Sequence, residues 1–251
     1  MTDTSHRPAL AGVAYGLIAY GMWGFFPLYF HQLLGVPPAD VLSHRAFWGW
    51  LFLCLLISVR GEWPKIQAIL RQRGQWLRLA AAGLLVGCNW LVFLWAVANH
   101  QVMASSLGYF ITPLVNVLLG LVVLGERLST KAWLSVLLAA AAMINEVVAL
   151  GTLPWVSLVL ATTFGCYGAG RKQVAVGATT GLWLETLAML PPCLVYAAWQ
   201  GHAGHDVLWG HDSGEMALLV LAGVLTALPL MAFGAATQRL TLATVGMLMY
   251  I

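Results

Sequence analysis

The sequence predicts an all-α, polytopic membrane protein, and three observations support this prediction. Of 251 residues, 61% are hydrophobic and only 8% are charged, whereas a soluble domain carries about a quarter charged residues. Apolar runs of about 20 residues, the length that a helix needs to cross a bilayer, recur along the whole chain. The short alternating segments of an outer-membrane barrel are absent. Because unpaired backbone groups are costly in lipid, each run is expected to be a helix.

Eight complete spans and the start of a ninth follow from these runs. The first, 9–30, is too long for a signal-peptide core and no cleavage pattern follows it, so it is expected to remain in the membrane. The other spans are predicted at 40–59, 76–97, 102–124, 132–150, 154–170, 178–198 and 216–236, with a ninth beginning near residue 241. The segment from Trp63 to Arg78 mixes basic and apolar residues, which predicts that it lies along the inner membrane interface.

The basic residues predict the orientation of the bundle. If the spans alternate in direction, eleven of the 12 Lys and Arg residues fall on one side, and Arg45 is the exception. By the positive-inside rule this side is the cytoplasm, and the N-terminus lies there. The opposite segments contain neither Lys nor Arg; they are 31–39, 99–101, 151–154 and 199–215.

No cofactor or metal site is predicted. The four cysteines lie inside apolar runs without metal-ligand spacing, which favours buried small side chains. The outer segment 199–215 contains three histidines and two aspartates, but their spacing matches no standard metal site. A solvated loop is the preferred interpretation of that segment.

An internal repeat is the next prediction. Trp90–Phe110 resembles Leu228–Leu248 when Gly108 is set against Gly246, 138 positions later. A second match, in the same order, pairs Tyr20–Gly24 with Phe164–Gly168. The unit contains five spans, an odd number, so the second copy would enter the membrane from the opposite face. Inverted repeats of this kind are typical of secondary transporters.

The predicted units are residues 1–150 and 151–251. At the same offset Ile251 corresponds to Pro113, inside the fourth helix of the first unit. The sequence therefore predicts two inverted five-helix repeats of which the second is incomplete, with on the order of 40 residues missing after Ile251. The chain is thus expected to be C-terminally truncated.

Several stretches resemble the RarD family, which belongs to the EamA group of the drug/metabolite transporter superfamily. They include Trp23-Gly24, Leu42–Arg45, Asn89–Val97, Asn99-His100, Ala104–Asn116, Leu124–Arg127, Tyr167-Gly168, Arg171-Lys172 and Glu185-Thr186. The resemblance implies ten helices in two inverted five-helix repeats, a bacterial inner membrane and export of small molecules. The family name is connected with chloramphenicol sensitivity or resistance, but the resemblance does not identify a physiological substrate.

Charged residues within the spans are candidates for transport, because polar groups at membrane depth are costly. Glu185 lies about 10 Å into its span at a rise of 1.5 Å per residue. It is a candidate proton carrier, and the alternative is a structural carboxyl bonded to a neighbouring helix. Arg45 is a candidate clamp for an anionic substrate group or for Glu185, and the alternative is an arginine that extends to the outer interface. His44, beside Arg45, is a further candidate.

Uncharged residues complete the candidate set. Asn89 and Asn116 are candidates either for packing between helices or for ligand contacts. Pro113 is a candidate hinge in the fourth span. Aromatic residues could line a cavity or could belong to the interfacial belt; they are Tyr20, Trp23, Trp90, Trp95, Tyr109 and Tyr167.

A secondary transporter working by alternating access is the leading functional interpretation. An intramembrane enzyme is the alternative from another class, but the sequence has no H-E-x-x-H motif, no nucleophile elbow and no paired membrane aspartates. A non-transporting receptor or assembly subunit also stays open. The expected partners are the lipid bilayer, a small-molecule substrate and protons as coupling ion, with a homodimer left open. Nucleic acid is not expected, because the basic residues are dispersed.

Overall fold

The computed structural model describes residues 6–150 and 155–250, and it is helical, with no strand in those two ranges. The predicted outer segment 151–154 lies outside the described residues. The helices are α1 His6–Gly24, α2 Phe26–His31, α3 Pro38–Arg60, α4 Trp63–Arg71, α5 Arg73–Ala98, α6 Val102–Val122, α7 Thr130–Leu150, α8 Trp155–Lys172, α9 Ala178–His202, α10 Ser213–Thr237 and α11 Leu242–Met247, before a 3₁₀ turn at Leu248–Tyr250.

Within these two ranges, seven helical segments are long and apolar enough to cross a bilayer. The prediction of an all-α, multi-pass membrane protein is therefore confirmed. The predicted span 154–170 forms α8, which is not among the seven. Arg171 and Lys172, in its last turn, lower its mean hydropathy, and residues such as Leu160 and Tyr167 are buried inside the protein. Small residues suit a helix that packs closely against other helices.

The first predicted span, 9–30, agrees with an apolar span over Ala9–His31, but it is not one continuous helix. The structure divides it into α1 and α2 at Phe25. Pro27 lies in the first turn of α2 and has no N–H to donate to the carbonyl of Trp23, which explains the break. As a result, Trp23 and Phe26 line a common cavity from two different helices.

The segment Trp63–Arg78 is divided between two helices, and its position along the inner interface stays a prediction. Its first part forms α4, with Ile66 and Ile69 buried and Lys65 exposed. Gln72 leaves the helical conformation, with φ −93° and ψ 81°, and ends α4. The remaining residues are the first turns of α5.

The two halves of the chain, residues 6–150 and 155–250, pack into one core. Helix α5 lies against α8 and α9, α3 lies against α9 and α10, and α6 lies against α8 and α11. Helix breaks occur at 99–101 and 238–241, the two positions that the repeat alignment pairs. The inverted orientation of the two units stays a prediction.

Glycines allow two of these contacts between halves. A Cβ on Gly83 of α5 would lie 2.3 Å from the carbonyl oxygen of Glu185 on α9. A Cβ on Gly223 of α10 would lie 2.5 Å from the backbone nitrogen of Gly49 on α3. Any side chain at these positions would separate the helices, so glycine permits the close approach.

Candidate substrate cavity and buried ion pair

A cavity of about 310 Å³ lies between helices of both halves. This volume is at the lower end of the range for small-molecule sites. Its polar lining residues include Arg45, Asn89, Ser105 and Ser106. Most of the wall is aromatic and consists of Tyr20, Trp23, Phe26, Trp90, Phe93, Tyr109, Phe110, Phe164 and Tyr250. The cavity therefore offers a largely apolar surface with a few polar groups.

Arg45 is the charged group of this wall. It is only 2% exposed, and its Nε donates a hydrogen bond to Thr226 Oγ1 at 2.9 Å. Its Cζ lies 4.3 Å from the ring centre of Trp90 and 4.7 Å from that of Phe30. Arg45 thus does not extend to the interface. In the described ranges no carboxylate lies within ion-pair distance of it.

Asn89 has a defined structural contact at the cavity wall. Its Nδ2 donates to the carbonyl of Leu160 and to the hydroxyl of Thr163, both at 2.9 Å. These bonds connect α5 to α8. The ring of Trp23 packs against Phe164 at 5.4 Å in an edge-on arrangement. The structure therefore brings together six of the predicted candidate residues at this cavity, namely Tyr20, Trp23, Arg45, Asn89, Trp90 and Tyr109.

Glu185 lies elsewhere, in a buried ion pair with Arg171. Arg171 Nε is 3.0 Å from Glu185 Oε1, and the side chains are 1% and 0% exposed. The contact is electrostatic, since no donor reaches Oε1 in hydrogen-bond geometry. Tyr167 donates its hydroxyl to Glu185 Oε2 at 3.1 Å, and Arg171 Nη2 donates to the carbonyl of Gly177 at 3.1 Å. Glu185 and Tyr167 do not line the cavity, and the partner of Glu185 is Arg171 rather than Arg45.

His44 also lies away from the cavity. Its Nδ1 accepts the indole N–H of Trp48 at 3.0 Å, so its Nε2 donates to the carbonyl of Val207 at 2.8 Å. Its two ring nitrogens are therefore both occupied by contacts within the protein.

The interpretation of the outer segment 199–215 as a solvated loop is only partly correct, because some of its side chains are buried in the protein. Val207 is buried, and the side chain of His211 is 7% exposed. Asp40, at the start of α3, is fully buried and accepts hydrogen bonds from Tyr196 at 2.7 Å and from His205 at 2.7 Å. The buried carboxylate of Asp40 thus has two of the three histidines beside it, His205 and His211, which the spacing of the residues in the sequence does not show. No group with metal-binding geometry occurs within the described ranges.

Asn116 and Pro113 lie where α6 meets α8 and α11. A Cβ on Gly246 would approach the Cβ of Asn116 at 2.9 Å and the Cα of Pro113 at 3.2 Å. Asn116 is fully buried, and neither of its amide atoms has a hydrogen-bond partner in the described part of the chain. Both residues lie outside the cavity lining.

Comparison with known proteins identifies the family. Residues 10–145 match the EamA-like transporter family, which is more than half of the chain. The chain belongs to the EamA-like transporter family. It is 41% identical to "Protein RarD" of Salmonella typhi, over 96% of this chain and 82% of that protein. It is 42% identical to an "Uncharacterized transporter" of Vibrio cholerae, over 98% of this chain and 81% of that protein.

A further relative has a more specific name. The "Chloramphenicol-sensitive protein RarD" of Pseudomonas aeruginosa is 30% identical, over 96% of this chain and 81% of that protein. Membership in the EamA-like family points to a permease rather than to an enzyme.

Several residues of this EamA-like site were not predicted. One of them is Thr226, which accepts a hydrogen bond from Arg45, and the others are Ser105 and Ser106. All three are polar residues inside apolar runs, and this pattern in the sequence could have identified them. Arg171 was interpreted as a marker of the cytoplasmic side and as part of the family resemblance, not as a site residue. Its position one residue before the end of α8 hid the fact that the side chain is buried.

Glu126 forms another link between the halves of the EamA-like chain. Its Oε1 accepts the backbone N–H of Leu242 at 2.7 Å, and its Oε2 accepts that of Ala243 at 3.2 Å. Lys172 Nζ lies 3.5 Å from Oε1 and also donates to the carbonyl of Leu240. The segment after α6 is thereby bound to the start of α11 and the end of α8.

Proposed function

We propose that this chain is a secondary permease that exports small organic molecules across a bacterial inner membrane by alternating access. The observation that supports it best is the cavity itself. Its wall consists of aromatic residues and a buried arginine, and both halves of the chain contribute to it. A site between halves that can move relative to each other is what alternating access requires.

Polar contacts between the two halves support a state in which the cavity is closed towards one end of the bundle, the end at which α8 terminates. Gly83 touches Glu185 and lies seven residues before Trp90 on α5, which places the ion pair about 10 Å from the cavity wall along the helix axis. Glu126 with Lys172, and Arg60 with Thr179 at 2.9 Å, connect the halves at the same end of the bundle. Opening on this side would break these contacts.

Glu185 is our proposed proton carrier. Its contacts with Arg171 and Tyr167 would change if the halves moved apart, so its proton occupancy would depend on the conformation. Transport by the unmodified chain is expected to depend on a pH gradient, and the variant Glu185→Gln is expected to lose that dependence. Unchanged pH dependence in the variant contradicts the proton role.

The proposed orientation places the N-terminus and Gln72 in the cytoplasm and the segment around Asp206 outside. Added cysteines test this with a maleimide that does not cross membranes. Asp206→Cys is expected to react in intact cells, and Gln72→Cys only after permeabilisation. The reverse pattern would invert the topology.

Flux measurements in proteoliposomes test the function itself. The panel contains amino acids, other metabolites and amphenicol drugs, the last because one relative is named chloramphenicol-sensitive. Saturable flux of at least one solute is expected. Saturable binding without flux would favour a receptor, and the absence of flux for every solute overturns the transporter proposal.

A further inference from the structure

We infer that the cavity takes amphipathic organic monoanions, with a carboxylate bound by Arg45 and a flat apolar body held by the aromatic wall. This inference rests on the proposed function, because it names the substrate class of the same cavity. It follows from the contacts of Arg45, from the comparison with the other buried arginine and from the lining of the cavity.

The guanidinium of Arg45 has unused hydrogen-bonding capacity. Five N–H bonds are available on a guanidinium, and the one to Thr226 Oγ1 comes from Nε. Nη1 is buried and has no partner within the described ranges. Nη1 of Arg171 is likewise buried without a partner among the described residues, so the difference between the two arginines lies in their counter-charges. Because a buried donor without a partner is costly, an acceptor that reached the Arg45 guanidinium from the cavity would be bound favourably.

The charge of Arg45 also indicates that an anionic group binds beside it. The rings of Trp90 and Phe30 provide cation–π attraction, which offsets only part of the cost of removing a guanidinium from water. Arg171 is equally buried and has the carboxylate of Glu185 beside it. Arg45 has no such carboxylate in the described part of the chain, so a substrate carboxylate would complete the pair.

The other residues that line the cavity indicate the charge and the shape of the ligand. A planar carboxylate fits the fork of a guanidinium with two parallel hydrogen bonds. The cavity has a single cationic side chain among its described lining residues, which favours one negative charge over two. The rings of Trp23, Phe93 and Tyr109 line the cavity and suit a flat apolar group, since aromatic rings stack well on such surfaces.

Matched probes test the inference by binding to the purified full chain in detergent. The probes are 3-phenylpropionate and its amide, 3-phenylpropionamide, which differ in charge but hardly in shape. The acid is expected to bind more tightly than the amide. Arg45→Gln is expected to weaken acid binding about 10- to 100-fold, the usual range for a hydrogen-bonded charged group, and to weaken amide binding much less, because the amide has no charge to pair with the guanidinium. Arg45→Lys keeps the charge but loses the fork, so it should give an intermediate loss.

Two further variants serve as controls. Arg239→Gln removes an arginine that also lies over a ring, that of Tyr15 at 5.2 Å, but is exposed and outside the cavity lining. It is expected to change neither affinity. Thr226→Val keeps Arg45 and the side-chain shape but removes the acceptor that orients the guanidinium, so acid binding should weaken less than in Arg45→Gln. This variant provides the test if Arg45→Gln does not fold.

The outcomes separate this inference from the proposed function. Equal affinity for acid and amide, or unchanged acid affinity in Arg45→Gln, overturns the inference, and flux of neutral solutes would then leave the transporter proposal standing. Loss of acid binding in Arg45→Gln together with no flux of any solute supports the inference and overturns the transporter proposal. No binding of either probe, or of a panel of aliphatic and aromatic monocarboxylates, also overturns the inference.

Discussion

Arg171 Nε lies 3.0 Å from Glu185 Oε1, and both side chains are buried where the end of α8 meets the beginning of α9. Tyr167 adds a hydrogen bond to the second carboxylate oxygen, and backbone carbonyls near Gly177 accept from the guanidinium. The pair therefore compensates two buried charges, each of which would be costly without the other. It also fixes the start of α9 against α8.

Removing one member of this pair is expected to be strongly destabilising. Arg171→Met leaves Glu185 as an unpaired buried carboxylate, and we expect a loss of about 3–5 kcal/mol in the free energy of unfolding. The double variant Arg171→Met/Glu185→Met removes both charges and should lose less than the sum of the two single variants. Denaturant unfolding in detergent measures the three values. Additive losses would show that the two side chains do not interact.

The contact of Gly83 with Glu185 gives a second prediction. A Cβ at Gly83 would lie 2.3 Å from a backbone oxygen that cannot move without shifting α9, so Gly83→Ala should cost about 1–3 kcal/mol in unfolding free energy. Gly87→Ala, one turn later on the same face, is the matched control. Its Cβ would meet the flexible Met189 side chain at 3.1 Å, and a smaller loss is expected. Equal losses would mean that the close approach of α5 and α9 is not required.

Pro113 provides a prediction about motion. It lies inside α6 and has no N–H to donate to the carbonyl of Tyr109, which leaves that turn weaker. Pro113→Ala restores the bond, and if the turn serves as a hinge, transport turnover should fall severalfold while substrate affinity stays the same. Pro192→Ala removes an exposed proline from α9 and serves as the control. Unchanged turnover in Pro113→Ala would exclude the hinge.

Glu62, outside the membrane spans, gives a pH-dependent prediction. The hydrogen bond from Lys65 at 3.0 Å, with another from Thr180 at 3.0 Å, holds the pKa of the Glu62 carboxyl below its ordinary value of 4.5, against a smaller opposing effect of burial. A lowered folded-state pKa stabilises the fold above pH 4.5, and this contribution is lost as the pH falls through the folded value.

The corresponding variant is Glu62→Gln. Because Lys65 is mostly exposed, the expected loss at pH 7 is only about 0.2–1 kcal/mol in unfolding free energy. The difference from the unmodified chain should shrink as the pH is lowered below 4.5. A difference that is constant from pH 7 to pH 3 would assign the loss to packing rather than to the carboxylate charge.

The helices could be predicted from the sequence wherever residues close together in the chain determine where they begin and end. The polar break at 99–101 separates α5 from α6 as predicted, because Asn99, His100 and Gln101 interrupt two apolar runs. Pro27 could have predicted the break between α1 and α2, but hydrophobicity averaged over 9–30 concealed it. Six of the predicted candidate residues do meet at one cavity, and their role in substrate binding stays a prediction.

The sequence by itself determined the membrane class, the helical spans and the family. Hydrophobicity and helix formation depend on residues that are close together in the chain, and the family follows from sequence similarity alone. Only the tertiary structure decided how the charged residues are paired. Glu185 has Arg171 as its partner, whereas Arg45 is held by Thr226 and faces the cavity without a carboxylate in the described ranges. The physical reason is that ion pairing at membrane depth depends on which helices lie side by side, and that is set by the packing of segments far apart in the sequence.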